Sequence, residues 1–173
     1  ISTFLNGMVK CTGYKPGALE DRYSSDGVFL YDRLNKSDME MLELAIRCHN
    51  MYRIPQGLNR REQAFCNVLR DADKVDIFKV NIDTPLEEIY NTTTEELMKS
   101  DITDEVLKAF DEEHCILKAI RRTPADTVIG HVSLAYELVY DESVRITVEQ
   151  GYLAKLMHVH SDNEETNRKM AMV

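Results

Sequence analysis

The chain has 173 residues, a formal net charge of −9, 43% hydrophobic and 29% charged residues, which fits one globular domain with a sizeable core. The acidic balance weighs against a nucleic-acid backbone as the main partner. No apolar run approaches the ~20 residues of a membrane span, and no signal-peptide pattern opens the chain.

Residues 1–20 are loop-like, punctuated by Gly7, Gly13, Pro16 and Gly17. The opening Ile1-Ser2-Thr3-Phe4-Leu5 carries no cap or helix start and reads as the interior of something longer. A short helix is expected from about residue 19 or 24 to 34. Ser37-Asp38-Met39-Glu40 has capping-box form and predicts a helix to about Met51. Pro55 and Gly57 force a turn, and Asn59-Arg60-Arg61-Glu62 opens a long helix to about Phe78. Thr84-Pro85-Leu86-Glu87 starts another, with Pro at the first helical position. Thr93 or Thr94 begins a short piece through Met98; Thr103 caps a helix over 104–120, Thr123 one to about Tyr140, and a last helix spans 142–157. The tail over 158–173 is polar, weakly periodic and expected to fray. No period-2 strands bounded by hairpin turns stand out. The expectation is a single all-α domain of about seven helices.

Two places carry chemistry. Arg70-Asp71-Ala72-Asp73-Lys74-Val75-Asp76 sets three carboxylates in an apolar, helix-forming stretch. At about 100° per residue, Phe65, Val68, Leu69, Ala72 and Val75 share one arc. Asp76 falls inside that arc, Asp73 at its edge and Asp71 near the opposite edge. Asp73 and Asp76, three apart, share a side. The alternatives are an inward pair with a chemical role and a solvated face with an Asp–Lys pair. His49 lies at the centre of the apolar face formed by Met39, Met41, Leu42, Ala45 and Ile46, in the last turn of its helix. It is either a satisfied core histidine or a ligand or acid/base group at the floor of a cleft. A short connection favours antiparallel neighbours, which would bring His49 near Asp71–Asp76.

Other features are plainer. His114, His131, His158 and His160 make no ligand spacing with an acidic partner, and His131 reads as core or interface. Arg121-Arg122 follows the 104–120 helix as a cationic cap, with phosphate contact as the alternative. Cys11, Cys48, Cys66 and Cys115 lie far apart without CxxC or zinc-ribbon spacing and read as reduced, mostly core thiols of a cytoplasmic protein. Walker, GxSxG, GxGxxG and HExxH motifs are absent.

Ala45-Ile46-Arg47-Cys48-His49-Asn50, followed by Leu69-Arg70-Asp71-Ala72-Asp73-Lys74-Val75-Asp76-Ile77, resembles the C-terminal half of an HD-domain metal-dependent phosphohydrolase. Arg122-Thr123-Pro124-Ala125-Asp126, Gly130-His131-Val132 and Glu149-Gln150-Gly151-Tyr152-Leu153 are similar to accessory helices of one bacterial HD subfamily. The resemblance implies an HD-like helical bundle that hydrolyses a phosphomonoester or phosphodiester, with a nucleotide as one option. It implies a divalent metal (Mn, Mg, Zn, Fe or Ni), with Asp73 as a ligand and His49 steadying phosphate or moving a proton. Asp71 and Asp76 would orient these groups, and Lys74, Arg47 or Arg70 would meet phosphate charge. A family histidine maps to Tyr23, a departure. The His-Asp doublet and the first His are not found in this sequence, and in the family they precede the matched region. The site is therefore incomplete here: the chain as given is expected to be inactive and the metal not necessarily bound by it. A non-catalytic ligand-binding or regulatory module is the alternative. Met- and Tyr-bearing helix faces leave a homo-oligomer open.

Overall fold

The computed structural model describes residues 35–158 and 161–173. The helix expected before residue 35, Tyr23 and His160 lie outside them. Every regular element among the described residues is helical: α1 (Lys36–Cys48), α2 (Arg60–Asp83), α3 (Leu86–Tyr90), α4 (Thr94–Lys99), α5 (Asp104–Asp111), α6 (Pro124–Val132), α7 (Asp141–Gln150), α8 (Tyr152–Met157) and α9 (Glu164–Met170), with 3-10 turns at Lys118–Ile120 and Ser133–Glu137. The all-α expectation stands. No helix among the described residues is long and apolar enough to cross a membrane. The chain divides into two compact units, Ile1–Asp73 and Lys74–Val173.

Side-chain caps fix most helix starts. Helix α1 begins one residue before Ser37, because Asn35 accepts from the Asp38 N–H at 3.0 Å and its amide donates to the Asp38 carboxylate at 2.8 Å. Asn59 caps α2, accepting from the N–H groups of Arg61 (2.9 Å) and Glu62 (3.0 Å), while Glu62 reaches back to the Asn59 N–H at 2.8 Å. Reciprocal boxes also start α4, through Thr93 and Glu96, and α6, through Thr123 and Asp126. Pro85 is itself the N-cap of α3, one position before the expected first helical place.

Helix ends depart further from expectation. Helix α2 runs past Phe78 to Asp83. The helix expected over 104–120 stops at Asp111, and Glu113 takes a left-handed φ of 55°. The helix expected to reach Tyr140 ends at Val132 and tightens into a 3-10 turn. The segment after Asp141 breaks at Gly151, whose φ of 68° ends α7 and starts α8. Such breaks, with a helical tail, give nine α-helices among the described residues rather than about seven.

In the first unit, Ala45 and Cys48 of α1 pack with Cys66 and Leu69 of α2, flanked by Leu44, Ile46, Ile54 and Leu58. In the second, Phe78, Leu97, Ile102, Val106, Phe110, Ile116, Val128, Ile129 and Leu156 form the main core. Asp126, fully buried, organises one side of it. Its carboxylate accepts from the N–H groups of Thr103 (2.8 Å), Arg122 (2.9 Å) and Thr123 (3.2 Å). Thr103 caps no helix through its own hydroxyl; that hydroxyl donates to Asp126 instead. The tail is docked rather than frayed. Ser161 and Thr166 are buried, with hydroxyls donating to the carbonyls of Met98 (2.5 Å) and Ser100 (2.8 Å), and Lys169 reaches the Ile102 carbonyl at 2.5 Å.

Candidate functional site

Helix α1 ends at Cys48 and leaves the carbonyls of its last turn without intrahelical donors. Arg70 of α2 supplies them. Its guanidinium, on a side chain only 8% exposed, donates through Nη1 to the carbonyls of Cys48 (3.2 Å), His49 (3.3 Å) and Met51, and through Nη2 to that of Tyr52 (3.4 Å). This cation-to-helix-end contact fixes the face of α2 that turns inward. The buried stripe is Cys66, Leu69, Arg70, Asp71, Asp73 and Lys74, whereas Phe65 (42%) and Val68 (57%) are exposed. The inward face of α2 is therefore turned away from the Phe65 and Val68 side of the expected arc and keeps only Leu69 of it fully buried. Weak apolar patterning lost to a buried guanidinium serving four carbonyls. Asp71 (1% exposed) and Asp73 (8%) are the buried carboxylates, and Asp76 is only half-buried.

His49 sits just past the end of α1. Its Nδ1 lies 2.6 Å from the Ile46 carbonyl, which can only accept, so Nδ1 carries a proton. In the neutral ring Nε2 then carries the lone pair, and that atom is buried with no hydrogen-bond partner among the described residues. An imidazole held by a carbonyl at one nitrogen and open at the other is arranged as a ligand or base. Arg47, two residues earlier, is exposed and paired with Glu43 at 3.0 Å. Beside His49, the buried thiols Cys48 and Cys66 are hydrogen-bonded to each other, and burial pushes the Cys66 thiol up to about 11. Among the described residues no three His, Cys, Asp or Glu side chains come together as a metal site. His49 suits one ligand position, and the described residues do not complete the set a catalytic metal needs.

A second polar cluster lies in the other unit. The Asn81 side-chain oxygen, at the end of α2, accepts from the Tyr90 hydroxyl and lies 2.9 Å from Nδ1 of His131 in α6. The Asn81 amide nitrogen is committed to the Ile77 carbonyl at 2.8 Å. His131 thus donates from Nδ1. Burial, with the Arg121 and Lys118 cations, lowers its pKa to about 4, so it is neutral at pH 7. Burial also raises the Tyr90 phenol. Arg121 is not the cap of a 104–120 helix, since α5 ends well before it. Its Nη2 donates to the carbonyls of Ile116 (2.5 Å) and Gly130 (3.3 Å) and so serves the end of α6.

No family model, curated protein or solved structure matches this chain.

The geometry thus speaks for itself. In the first unit it joins the end of α1 to α2 through Arg70 and leaves Nε2 of His49 without a partner among the described residues. The Asn81–Tyr90–His131 cluster had no local signature, because His131 meets an amide 50 residues away rather than an acid at ligand spacing. The one signal available was the placing of His131 within the apolar run Val128–Val132.

Proposed function

We propose that this chain carries part of the site of an HD-type metal-dependent phosphohydrolase acting on a phosphomonoester or phosphodiester, a nucleotide among the candidates. One observation carries the reading: the buried Nε2 of His49, its lone pair set by the Nδ1 bond to Ile46 and met by no donor among the described residues. Asp73, buried in the same unit, is the matching carboxylate. A divalent metal, when bound, would supply charge stabilisation at phosphorus and a more acidic water. Asp71 would orient neighbouring groups. Arg47 is the cation offered to phosphate, and it would exchange Glu43 for it.

The second reading is a non-catalytic HD-like module that binds a ligand without turnover. It is favoured by Arg70, whose guanidinium is committed to backbone carbonyls rather than to a substrate, and by Tyr23 in place of a family histidine.

Calorimetry with Mn²⁺ or Zn²⁺ separates the two from a chain with no site. Submillimolar binding that is lost in Asp73→Ala and in His49→Ala, with melting profiles retained, supports a metal centre. Turnover of a chromogenic phosphodiester by the same chain selects the enzyme. Binding without turnover selects the module, and no binding removes the metal reading.

A further inference from the structure

Helices α1 and α2 start side by side and run in the same direction. Arg61, in the first turn of α2, donates to the carboxylate of Asp38, in the first turn of α1, at 2.7 Å. Further along, Arg70 reaches the Cys48 carbonyl at the end of α1 at 3.2 Å. The eleven residues between Cys48 and Arg60 allow this, since their extended span of about 36 Å outreaches the roughly 20 Å of a 13-residue helix. The chain that precedes Asn35 therefore joins the pair at the start of α2, beside Arg61. An apolar face begins there. Arg61, Phe65, Val68 and Ala72, spaced four, three and four apart, share one side of α2. Phe65 and Val68 are exposed, Ala72 is half-buried, and the Arg61 guanidinium carbon lies 5.9 Å from the Phe65 ring centre. Residues 19–34, outside the described residues, carry a matching sequence pattern. Leu19, Tyr23, Gly27, Leu30 and Leu34 recur at spacings of four, four, three and four, which is one face of a helix. Sixteen residues make about 24 Å of helix, enough for the about 17 Å from Arg61 to Ala72.

We infer that the Phe65–Val68–Ala72 face of α2 is the docking surface for residues 19–34 of the same chain, with Leu30 and Leu34, nearest the join, against Phe65 and Val68. Gly27 lets the two backbones approach. Two part-exposed side chains offer on the order of 200 Å², too little for a second copy, which needs ~800 Å² per partner in a stable dimer. A tethered segment acts at an effective concentration of about millimolar and so holds on a small face. Every residue named lies in the Ile1–Asp73 unit, and the docking stands whether or not the chain binds a metal.

The test is amide hydrogen exchange of the full chain, read by peptide mass spectrometry at two protein concentrations about fiftyfold apart. The expected result is protection of the 19–34 amides, about tenfold or more over the free-chain rate and equal at both concentrations. Val68→Asp, which places a charge mid-face, and Leu30→Asp, which changes none of the described residues, each lower that protection about tenfold and leave α1 protected. The double variant loses no more than either single one, because both remove the same contact. Val68→Gln replaces Val68→Asp if the latter also exposes α1. Free-chain exchange over 19–34 in the parent, protection retained in the Val68 variant, or losses that multiply in the double variant overturn the inference. Protection that rises with concentration overturns it too, and assigns the face to a second copy.

Discussion

The Arg121 guanidinium lies so close to Gly130 that a Cβ built there would stand 2.2 Å from Nε. Gly130→Ala must therefore displace the guanidinium from the Ile116 and Gly130 carbonyls. Bonds of that charged kind contribute about 1.5–3 kcal/mol, against roughly 1 kcal/mol gained by replacing a helical glycine. The expected outcome in urea unfolding is a net loss of about 1 kcal/mol. In an Arg121→Ala background the same substitution becomes stabilising. If Gly130→Ala stabilises both backgrounds, the guanidinium does not need that space.

His131 gives the fold an acid-sensitive limb. Its pKa falls from an ordinary 6.5 to about 4 in the folded chain, so protonation favours the unfolded state. The contribution is fully present above pH 6.5 and is lost as pH falls from 6.5 toward 4. The span corresponds to about 3 kcal/mol. Unfolding free energies measured from pH 7 to 4.5 should fall in the parent and stay nearly level, over that window, in His131→Gln. A parallel fall in both would assign the sensitivity elsewhere.

Arg70 is expected to matter more for folding than for any ligand. Arg70→Met leaves the carbonyls of Cys48, His49, Met51 and Tyr52 short of a donor, at a cost of about 2–4 kcal/mol. Arg70→Lys recovers only part of this, because an ammonium lacks the planar fork that reaches several oxygens at once. Denaturant midpoints of the three proteins order them. Equal midpoints for Lys and Arg would refute the multi-carbonyl role.

Cys48 and Cys66 should resist alkylation at pH 8. Both are buried, and with the Cys66 thiol near 11 about one molecule in a thousand carries that thiolate. Peptide mass spectrometry after brief iodoacetamide treatment should find both unmodified in native protein and both labelled in urea. Native labelling of Cys66 at the rate of a free thiol would contradict its burial.

Starts were more legible than ends. Asn59, Thr93 and Thr123 announce their helices because a cap is local chemistry, confined to four residues. Ends depend on contacts the spacing cannot carry. The chain turns at Glu113 with no glycine to mark it, and α6 tightens at Ser133 although apolar residues continue. The inward face of α2 escapes the spacing for a related reason. A helical wheel weighs side chains by hydropathy, whereas Arg70 is drawn inward by carbonyls that exist only once α1 has ended at Cys48. His49 was legible as the residue to watch, but its open Nε2 depends on which carbonyl Nδ1 finds, and that is a matter of folded geometry. Arg121 lies ten residues beyond the end of α5, which stops at Asp111, so it has no 104–120 helix to cap.

The bonds from Ser161, Thr166 and Lys169 to the 98–102 strip span 63 to 68 residues of chain. Contacts so far apart in sequence cannot form until the intervening loop has closed, and closure is an entropic toll on the way to the native state. If the clasp forms after the rate-limiting step, strengthening it slows unfolding and leaves the folding rate almost untouched. The segment from Ser161 to Val173 acts as a latch whose grip is measured in the lifetime of the folded chain.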